Sequence, residues 1–138
     1  MPLYGNELGP DTTPFEAGLG RVVKFDKPGD FVGRSALLAA ASGSGSASGS
    51  ASASPGRRLV GLTVESRRVA RHGYPVLADG KECGVVTSGA PSPTLGHPIA
   101  MAYLNAGPDA GDAVLTVGIR GEAVPVQLTE LPFYSRSR

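Results

Sequence analysis

The chain has 138 residues, which is room for one domain or for one small domain with an appendage. Its 13 basic and 12 acidic residues leave a net charge of +1. It therefore lacks the basic field with which nucleic-acid-binding proteins neutralise phosphates. No apolar run reaches the roughly 18 residues that a membrane-spanning helix requires. We expect no nucleic-acid partner and no membrane association.

The chain contains one cysteine, Cys83, which excludes an internal disulfide framework and is typical of a reducing compartment. Neither a histidine nor a second cysteine stands beside it, which favours a small buried side chain over a nucleophile. The N-terminus is polar and rich in turn residues, without the apolar stretch of a signal peptide. These features predict a cytoplasmic protein.

A low-complexity tract divides the chain into two unlike parts. Residues 42–56 are Ser, Gly and Ala with a single Pro. Such a tract has almost no side chain to bury and cannot offset the entropy of ordering it. It is predicted to be a disordered linker between residues 1–41 and residues 57–138.

The first part, residues 1–41, begins with turns and holds few large apolar side chains. Residues 21–25 are a candidate strand, and Asp30 is a candidate N-cap for a helix over residues 31–41. A piece of about 40 residues seldom folds alone without disulfides or metals. We expect the short α/β end of a larger domain, or a flap that packs on another element.

The second part, residues 57–138, alternates apolar and polar residues between turn signals. Asp79-Gly80 predicts a two-residue hairpin, and Arg120-Gly121 predicts a second turn. Pro125 predicts that the last strand lies at an edge or carries a bulge. About six short strands without a helical period predict a mainly β fold, either an antiparallel β-barrel or a jelly-roll-like sandwich. The predicted interior residues are Val60, Leu62, Val86, Ile99, Met101, Leu115, Val117 and Val126.

A run rich in glycine and proline separates two of these strands. Residues 86–96 read Val-Thr-Ser-Gly-Ala-Pro-Ser-Pro-Thr-Leu-Gly. Proline fixes φ and glycine supplies conformations that other residues avoid, so the run predicts a rigid crossover. Together with Ile-Ala-Met-Ala-Tyr at residues 99–103, it resembles the T-S-G-x-x-S-P-x-L-x-x-x-I-A-x-A-Y signature of the glycine cleavage system T protein (aminomethyltransferase) family.

Other stretches resemble the same family in the family's order. Residues 3–8 are similar to its L-Y-G-x-x-L segment, and residues 13–20 to its T-P-x-E-A-G-L-x-W segment. Further similarities lie at residues 24–33, 58–62, 70–76 and 131–134. The resemblance therefore covers nearly the whole chain except the low-complexity tract.

The resemblance implies that the chain corresponds to the last third of a three-domain enzyme with tetrahydrofolate in a central hole. Residues 1–41 would end its folate-binding domain, and residues 57–138 would form its C-terminal barrel. Such enzymes transfer a methylene carbon from an aminomethyl group on the lipoyl arm of the H protein to tetrahydrofolate, and they release ammonia. The family's catalytic aspartate precedes the matching part, so the resemblance assigns this chain no catalytic residue.

The implied partners are the lipoylated H protein and the missing N-terminal folate-binding domains. We therefore expect a C-terminal fragment, or a gene that starts at an internal methionine, which is inactive alone. Two other functions stay open. The barrel could be a non-catalytic module of a related sarcosine- or dimethylglycine-oxidising enzyme, or a stand-alone folate-binding or interaction domain.

Four residues are candidate folate contacts by the resemblance: Lys27, Glu16, Tyr134 and Arg136. Lys27 stands where the family places a cation, often arginine, for the anionic folate tail, and its alternative is a solvated turn lysine. Glu16 is either a folate contact or a structural carboxylate. Tyr134 and Arg136 lie where the family's tail returns toward folate, with a frayed terminus as the alternative.

Two further groups of polar residues have less specific patterns. His72 and His97 have no neighbours at metal-ligand spacing, so no metal site is predicted. The arginines at positions 57, 58, 67, 68 and 71 cluster in the sequence. They form either a solvated loop and strand face, or a site for an anionic ligand or an acidic partner.

Overall fold

Six β-strands close into an antiparallel barrel in this computed structural model, which describes residues 2–42, 56–105 and 113–135. The strands are β1 (Arg57–Val64), β2 (Pro75–Ala78), β3 (Lys81–Ser92), β4 (His97–Asn105), β5 (Leu115–Ile119) and β6 (Glu122–Thr129). Their order around the barrel is β1-β4-β3-β2-β5-β6. The predicted mainly β fold is confirmed, with the barrel as its architecture.

Two tight turns connect neighbouring strands of the barrel. Asp79 and Gly80 join β2 to β3 with φ angles of 48° and 79°, and Arg120 and Gly121 join β5 to β6 with φ angles of 52° and 85°. Positive φ at both central residues belongs to the type I′ turn, whose twist matches that of the flanking strands. Both predicted turns are confirmed.

The interior is filled by alternate residues of all six strands, as a pleated strand requires. Five predicted interior residues are buried there, and they are Leu62, Val86, Leu115, Val117 and Val126. Val60 packs against this core and is partly exposed. Cys83 is a free, buried thiol in the same core, and burial raises its pKa. It is the small buried side chain that the sequence predicts.

Strand β4 is buried on both of its faces, and here the interior prediction is wrong. Ala100, Ala102 and Leu104 belong to the interior core, whereas Ile99 and Met101 alternate with them and lie on the opposite face. Met101 is only 6% exposed there. Because both faces of β4 are apolar and covered, alternation alone does not indicate which set points inward.

The glycine- and proline-rich run is part of a hairpin, so the predicted crossover is wrong. Strand β3 continues to Ser92 and pairs antiparallel with β4 up to the Ser92–His97 pair. The connection is confined to residues 93–96, and Gly96 closes it with a φ of 75°. Pro91 and Pro98 pair directly in the register, where the hairpin approaches its turn.

Pro125 lies in a strand that is paired on both sides, so the predicted edge or bulge is also wrong. Strand β6 pairs with β1 and with β5 in unbroken register. The paired register with β1 ends at Val64–Val126, and the Glu65 N–H then donates to the Pro125 carbonyl at 3.0 Å. Proline has no N–H to return such a bond, and it occupies the position just past the end of that pairing.

We call residues 2–42 the N-terminal segment. Residues 20–22 form a short 3₁₀-helix, and the segment ends in the helix α1 (Arg34–Ser42). The predicted strand over residues 21–25 is wrong, and so is the α/β character of this part, since its only β pairing is the isolated Tyr4–Leu8 bridge. The helix begins after Gly33 rather than at Asp30. Gly33 has a φ of 88°, which a right-handed helix cannot contain, so residues 31–33 cannot belong to it.

Three phenylalanines hold the N-terminal segment together. Phe15 stacks on Phe25 with ring centroids 6.4 Å apart, and Phe25 stacks on Phe31 at 6.5 Å. The Arg34 guanidinium donates to the Phe25 carbonyl at 2.9 Å.

No helix within the described ranges is long and apolar enough to cross a membrane. The predicted linker falls almost entirely on residues 43–55, which lie outside the described residues.

Candidate functional site

The predicted contact residues lie in different surroundings. Lys27 is exposed in a turn of the N-terminal segment, and Tyr134 is exposed beyond β6. Glu16 is largely buried against the barrel, with a side chain only 11% exposed. Arg136 lies outside the described residues. Among the described residues, no hydrogen bond or ion pair joins Lys27, Glu16 and Tyr134 to one another.

Glu16 caps the first turn of the Thr13-Pro14-Phe15-Glu16 stretch. Its Oε2 accepts hydrogen bonds from the Thr13 N–H at 2.7 Å and the Thr13 hydroxyl at 3.0 Å. The Glu16 N–H donates to the Thr13 hydroxyl oxygen at 3.3 Å. This reciprocal pair is a capping box, which satisfies backbone donors at the start of a helical turn. The capping box gives Glu16 a structural role.

The second oxygen of Glu16 joins the N-terminal segment to the barrel. Glu16 Oε1 lies 3.1 Å from Arg57 Nε, and the Leu59 N–H donates to the Glu16 carbonyl at 2.9 Å. The Arg57 guanidinium also lies 4.6 Å from the ring centroid of Tyr103, a cation–π contact. Burial disfavours the charge of Glu16, but the bonds from Thr13 and Arg57 outweigh it and lower the pKa of this carboxyl.

Glu7 forms a second, deeper junction. It is 2% exposed, and its Oε2 accepts from the Leu3 N–H at 2.9 Å. Its Oε1 accepts from the Thr87 hydroxyl at 2.8 Å, and its backbone carbonyl accepts from the Tyr103 hydroxyl at 2.8 Å. Burial opposes ionisation, but bonds from Ser88, Leu3 and Thr87 outweigh it, so the pKa of Glu7 lies below its ordinary value. Glu7 is therefore a buried carboxylate held by hydrogen bonds.

A β-bulge places Thr87 at this junction. Val86 pairs with Ala102, but the next pair is Ser88 with Met101, so Thr87 is the extra residue of β3. A bulge changes the direction in which a strand's side chains point. The Thr87 hydroxyl lies 2.8 Å from Glu7 Oε1 and 3.0 Å from the Met101 carbonyl. Its single proton serves one acceptor at a time, and the charged carboxylate is the stronger one.

A pocket of about 370 Å³ lies between the N-terminal segment and the outer face of the barrel. His72 stands at its wall, with Nδ1 2.9 Å from the Thr87 carbonyl, which makes Nδ1 the protonated nitrogen. Both carboxylates at this junction have their oxygens bonded to protein donors. The arrangement therefore holds the segment in place, because every carboxylate oxygen of Glu7 and Glu16 accepts a bond from the protein. The pocket's polar side chains include Glu7, Thr12, Arg57, His72, Thr87 and Tyr103.

Sequence reasoning missed most of this junction. Glu7 and Thr87 both lie within stretches that carry the family resemblance, but no role was predicted for either. Arg57 belongs to the arginine cluster that was predicted to be either a solvated face or a site for an anionic ligand or acidic partner, whereas it pairs with Glu16 of the same chain and its side chain is 35% exposed. Nothing local indicates the partner of Thr87, because Glu7 is 80 positions away. Within the described ranges, no group of three or more His, Cys, Asp or Glu side chains could hold a metal ion.

The profile described as the glycine cleavage T-protein C-terminal barrel domain matches residues 57–135. An aminomethyltransferase of Saccharopolyspora erythraea is 58% identical over 138 residues, which is 99% of this chain and 35% of the relative. That of Streptomyces avermitilis is 57% identical over 139 residues, covering 100% of this chain and 36% of the relative. The chain thus spans about a third of the length of these curated relatives and matches their C-terminal part.

The fold is similar to a solved structure as well. The crystal structure of glycine cleavage system aminomethyltransferase T from Bartonella henselae superposes with a TM-score of 0.80 at 30% sequence identity. The match covers 97% of this chain and 35% of that chain. The family profile covers the barrel, and the relatives and the solved structure cover the N-terminal segment as well. The chain belongs to the glycine cleavage T-protein family, whose C-terminal barrel domain it contains.

Proposed function

We propose that this chain is the C-terminal part of a tetrahydrofolate-dependent aminomethyltransferase. The whole enzyme transfers the methylene carbon of an aminomethyl group, carried on the lipoyl arm of the H protein, to tetrahydrofolate and releases ammonia. The observation that carries the proposal is the 58% identity to an aminomethyltransferase over 99% of the chain. The proposal includes a cytoplasmic location and the H protein as partner.

In this proposal the two parts of the chain have different tasks. Residues 1–41 complete a folate-binding domain, residues 42–56 connect it, and residues 57–138 form the barrel that supports it. The catalytic carboxylate comes from the N-terminal domains that the aminomethyltransferase relatives possess. What this chain contributes is positioning, which is a large part of the catalysis when two substrates must be held together. Alone, the chain should therefore be inactive.

Lys27 is the side chain that we expect to meet the anionic glutamate tail of tetrahydrofolate. Its exposure in a turn fits a rim contact that a ligand can reach, and an ammonium gives a point charge rather than a bidentate pair. Tyr134 is exposed and free to approach the ligand from the C-terminal side, with Arg136 two positions beyond it. Glu16 acts through its capping box and its ion pair, beside any contact with folate.

A chimera tests the folate part of this proposal. In the chimera, this chain replaces the C-terminal third of the Saccharopolyspora erythraea aminomethyltransferase, and calorimetry measures tetrahydrofolate binding. We expect the chimera to bind, and Lys27→Ala to weaken binding about two- to fivefold, the range of an exposed charge pair. Lys81→Ala, a matched loss of an exposed lysine on the barrel, should leave the Kd unchanged.

Two results would count against these assignments separately. A folded chimera that does not bind tetrahydrofolate contradicts the proposed function. A chimera that binds, but in which Lys27→Ala and Lys81→Ala have the same Kd, contradicts only the role of Lys27.

A further inference from the structure

We infer that Thr87 and Glu7 act together as positioning residues, which fix the loop carrying Lys27 relative to the barrel. The functional consequence of placing Lys27 rests on the proposed function, since Lys27 is the residue expected to contact the folate tail. The contact itself stands on the geometry at the bulge of β3, whatever the ligand.

The carboxylate of Glu7 depends on its hydrogen-bond donors. It is 2% exposed, and no cationic side chain of the described residues lies within ion-pair distance of it. A buried charge that is not hydrogen-bonded is strongly unfavourable. The Thr87 hydroxyl is the donor that the barrel supplies to Glu7 Oε1. Docking of residues 3–8 on the barrel therefore depends in part on that hydroxyl, beside the bonds that Ser88 and Tyr103 donate to Glu7.

The loop around Glu7 is tightly closed, so it moves as a unit. The Glu7 and Leu8 N–H groups both donate to the Leu3 carbonyl at 3.0 Å, and the Leu3 N–H donates to the Glu7 carboxylate. The Tyr103 hydroxyl fixes the same loop from β4 through the Glu7 carbonyl. Glu7 thus lies at the centre of a small ring of bonds that two neighbouring residues of β3, Thr87 and Ser88, tie to the barrel.

A path of contacts leads from this loop toward Lys27, since the Tyr103 hydroxyl donates to the Glu7 carbonyl and the Tyr103 ring lies against Arg57. Nine residues after Glu7, Glu16 pairs with Arg57 on β1 and gives the segment a second anchor. Phe15, beside Glu16, stacks on Phe25, two positions before Lys27. Rigid packing of this kind transmits a change at one end to the other. Loss of the first anchor should therefore loosen the turn that carries Lys27.

Amide hydrogen exchange of the 138-residue chain tests this inference without any ligand. Thr87→Val keeps the shape of the side chain and removes the hydroxyl. We expect exchange at Leu19 and Val23, whose N–H groups donate within the segment, to become at least about tenfold faster. Barrel amides such as that of Leu62 should keep their protection.

Three further variants make the test specific. Thr87→Ser restores the hydroxyl and should restore slow exchange. Glu7→Gln replaces one acceptor oxygen with a donor and leaves every barrel residue intact, so it should reproduce the effect even if Thr87→Val does not fold. Thr116→Val is the matched control, since it makes the same substitution on β5, and it should leave the segment unchanged.

Kinetics of the chimera add a readout that mere stability would not move. Thr87→Val should raise the KM for tetrahydrofolate about two- to fivefold, as loss of Lys27 would, while kcat stays within about twofold. Unchanged exchange at Leu19 and Val23 in both Thr87→Val and Glu7→Gln overturns the inference. Faster exchange with an unchanged KM in an active chimera overturns the positioning role. An inactive wild-type chimera would contradict the proposed function. The inference about Thr87 and Glu7 would then still be tested by the exchange data, which need no ligand.

Discussion

Gly89→Ala is expected to destabilise the chain by about 3 kcal/mol, at the upper end for overpacking a closed core. A Cβ at Gly89 would lie 2.1 Å from the Ala70 carbonyl oxygen and 3.1 Å from the carbonyl carbon. Both atoms are backbone, so neither can rotate away as a side chain would. Ala70 is fully buried in the loop between β1 and β2, so relief would require that loop to leave the barrel. Urea unfolding measures the loss.

Gly9→Ala is the matched control for this prediction. A Cβ at Gly9 would meet nothing within 4 Å, and its backbone is not in the left-handed region. Its unfolding free energy should stay within about 0.5 kcal/mol of the unmodified chain, as for most surface changes. If Gly89→Ala were as mild as Gly9→Ala, the close approach of the Ala70 loop to β3 would be wrong.

Leu62→Ala is expected to cost about 2–5 kcal/mol, the range of buried leucine truncations. Leu62 is 0% exposed and belongs to the interior core, where β1 lies between β4 and β6. Truncation removes the transfer free energy of its methyl groups and leaves a cavity that a closed barrel can fill only partly. Equilibrium unfolding in urea gives the change in free energy.

Leu128→Ala separates burial from residue type. Leu128 is the cross-strand partner of Leu62 on β6, but it is 37% exposed. The same substitution should therefore cost less, about 1 kcal/mol or below. A loss below about 0.5 kcal/mol at Leu62 would place the interior of the barrel on the wrong face of β1, whereas equal losses at both positions would contradict the exposure of Leu128.

Much of the barrel could be predicted because its signals are local. Alternation at Leu62 and Val64 defines one face of β1, and the Asp79-Gly80 and Arg120-Gly121 pairs require the positive φ of a type I′ turn. Such signals need only neighbouring residues. They sufficed for the number of strands, their approximate positions and two of the connections.

The errors arose where distant contacts override local pattern. Ile99 and Met101 lie on the outer face of the barrel, where the N-terminal segment and the chain after β6 cover part of the surface. Apolar residues are therefore expected on that face too, and an apolar pattern does not distinguish it from the interior. One such cover is visible at Gly61, the partner of Met101, where a Cβ would lie 3.0 Å from Leu131 and Phe133. Residues 21–25 have strand propensity, but no strand in the described part of the chain pairs with them.

The junction between segment and barrel was hidden for the same reason. Glu7 and Thr87 meet across 80 positions, and the bulge that turns Thr87 toward Glu7 leaves no mark in a single sequence. Glu16 was predicted to be either a folate contact or a structural carboxylate, and its capping box with Thr13 fits the second of these. The family, in contrast, could be recognised from the order of short motifs along nearly the whole chain.

Turnover by the chimera tests the central claim most directly. Purified chimera is mixed with H protein that carries the aminomethyl-lipoyl group and with tetrahydrofolate, and formation of methylene-tetrahydrofolate is followed. The chimera should turn over at about 1 per second or faster, an ordinary enzyme rate, while the 138-residue chain alone should not. A folded chimera that binds tetrahydrofolate without transfer, or turnover at that rate by the chain alone, would contradict the account.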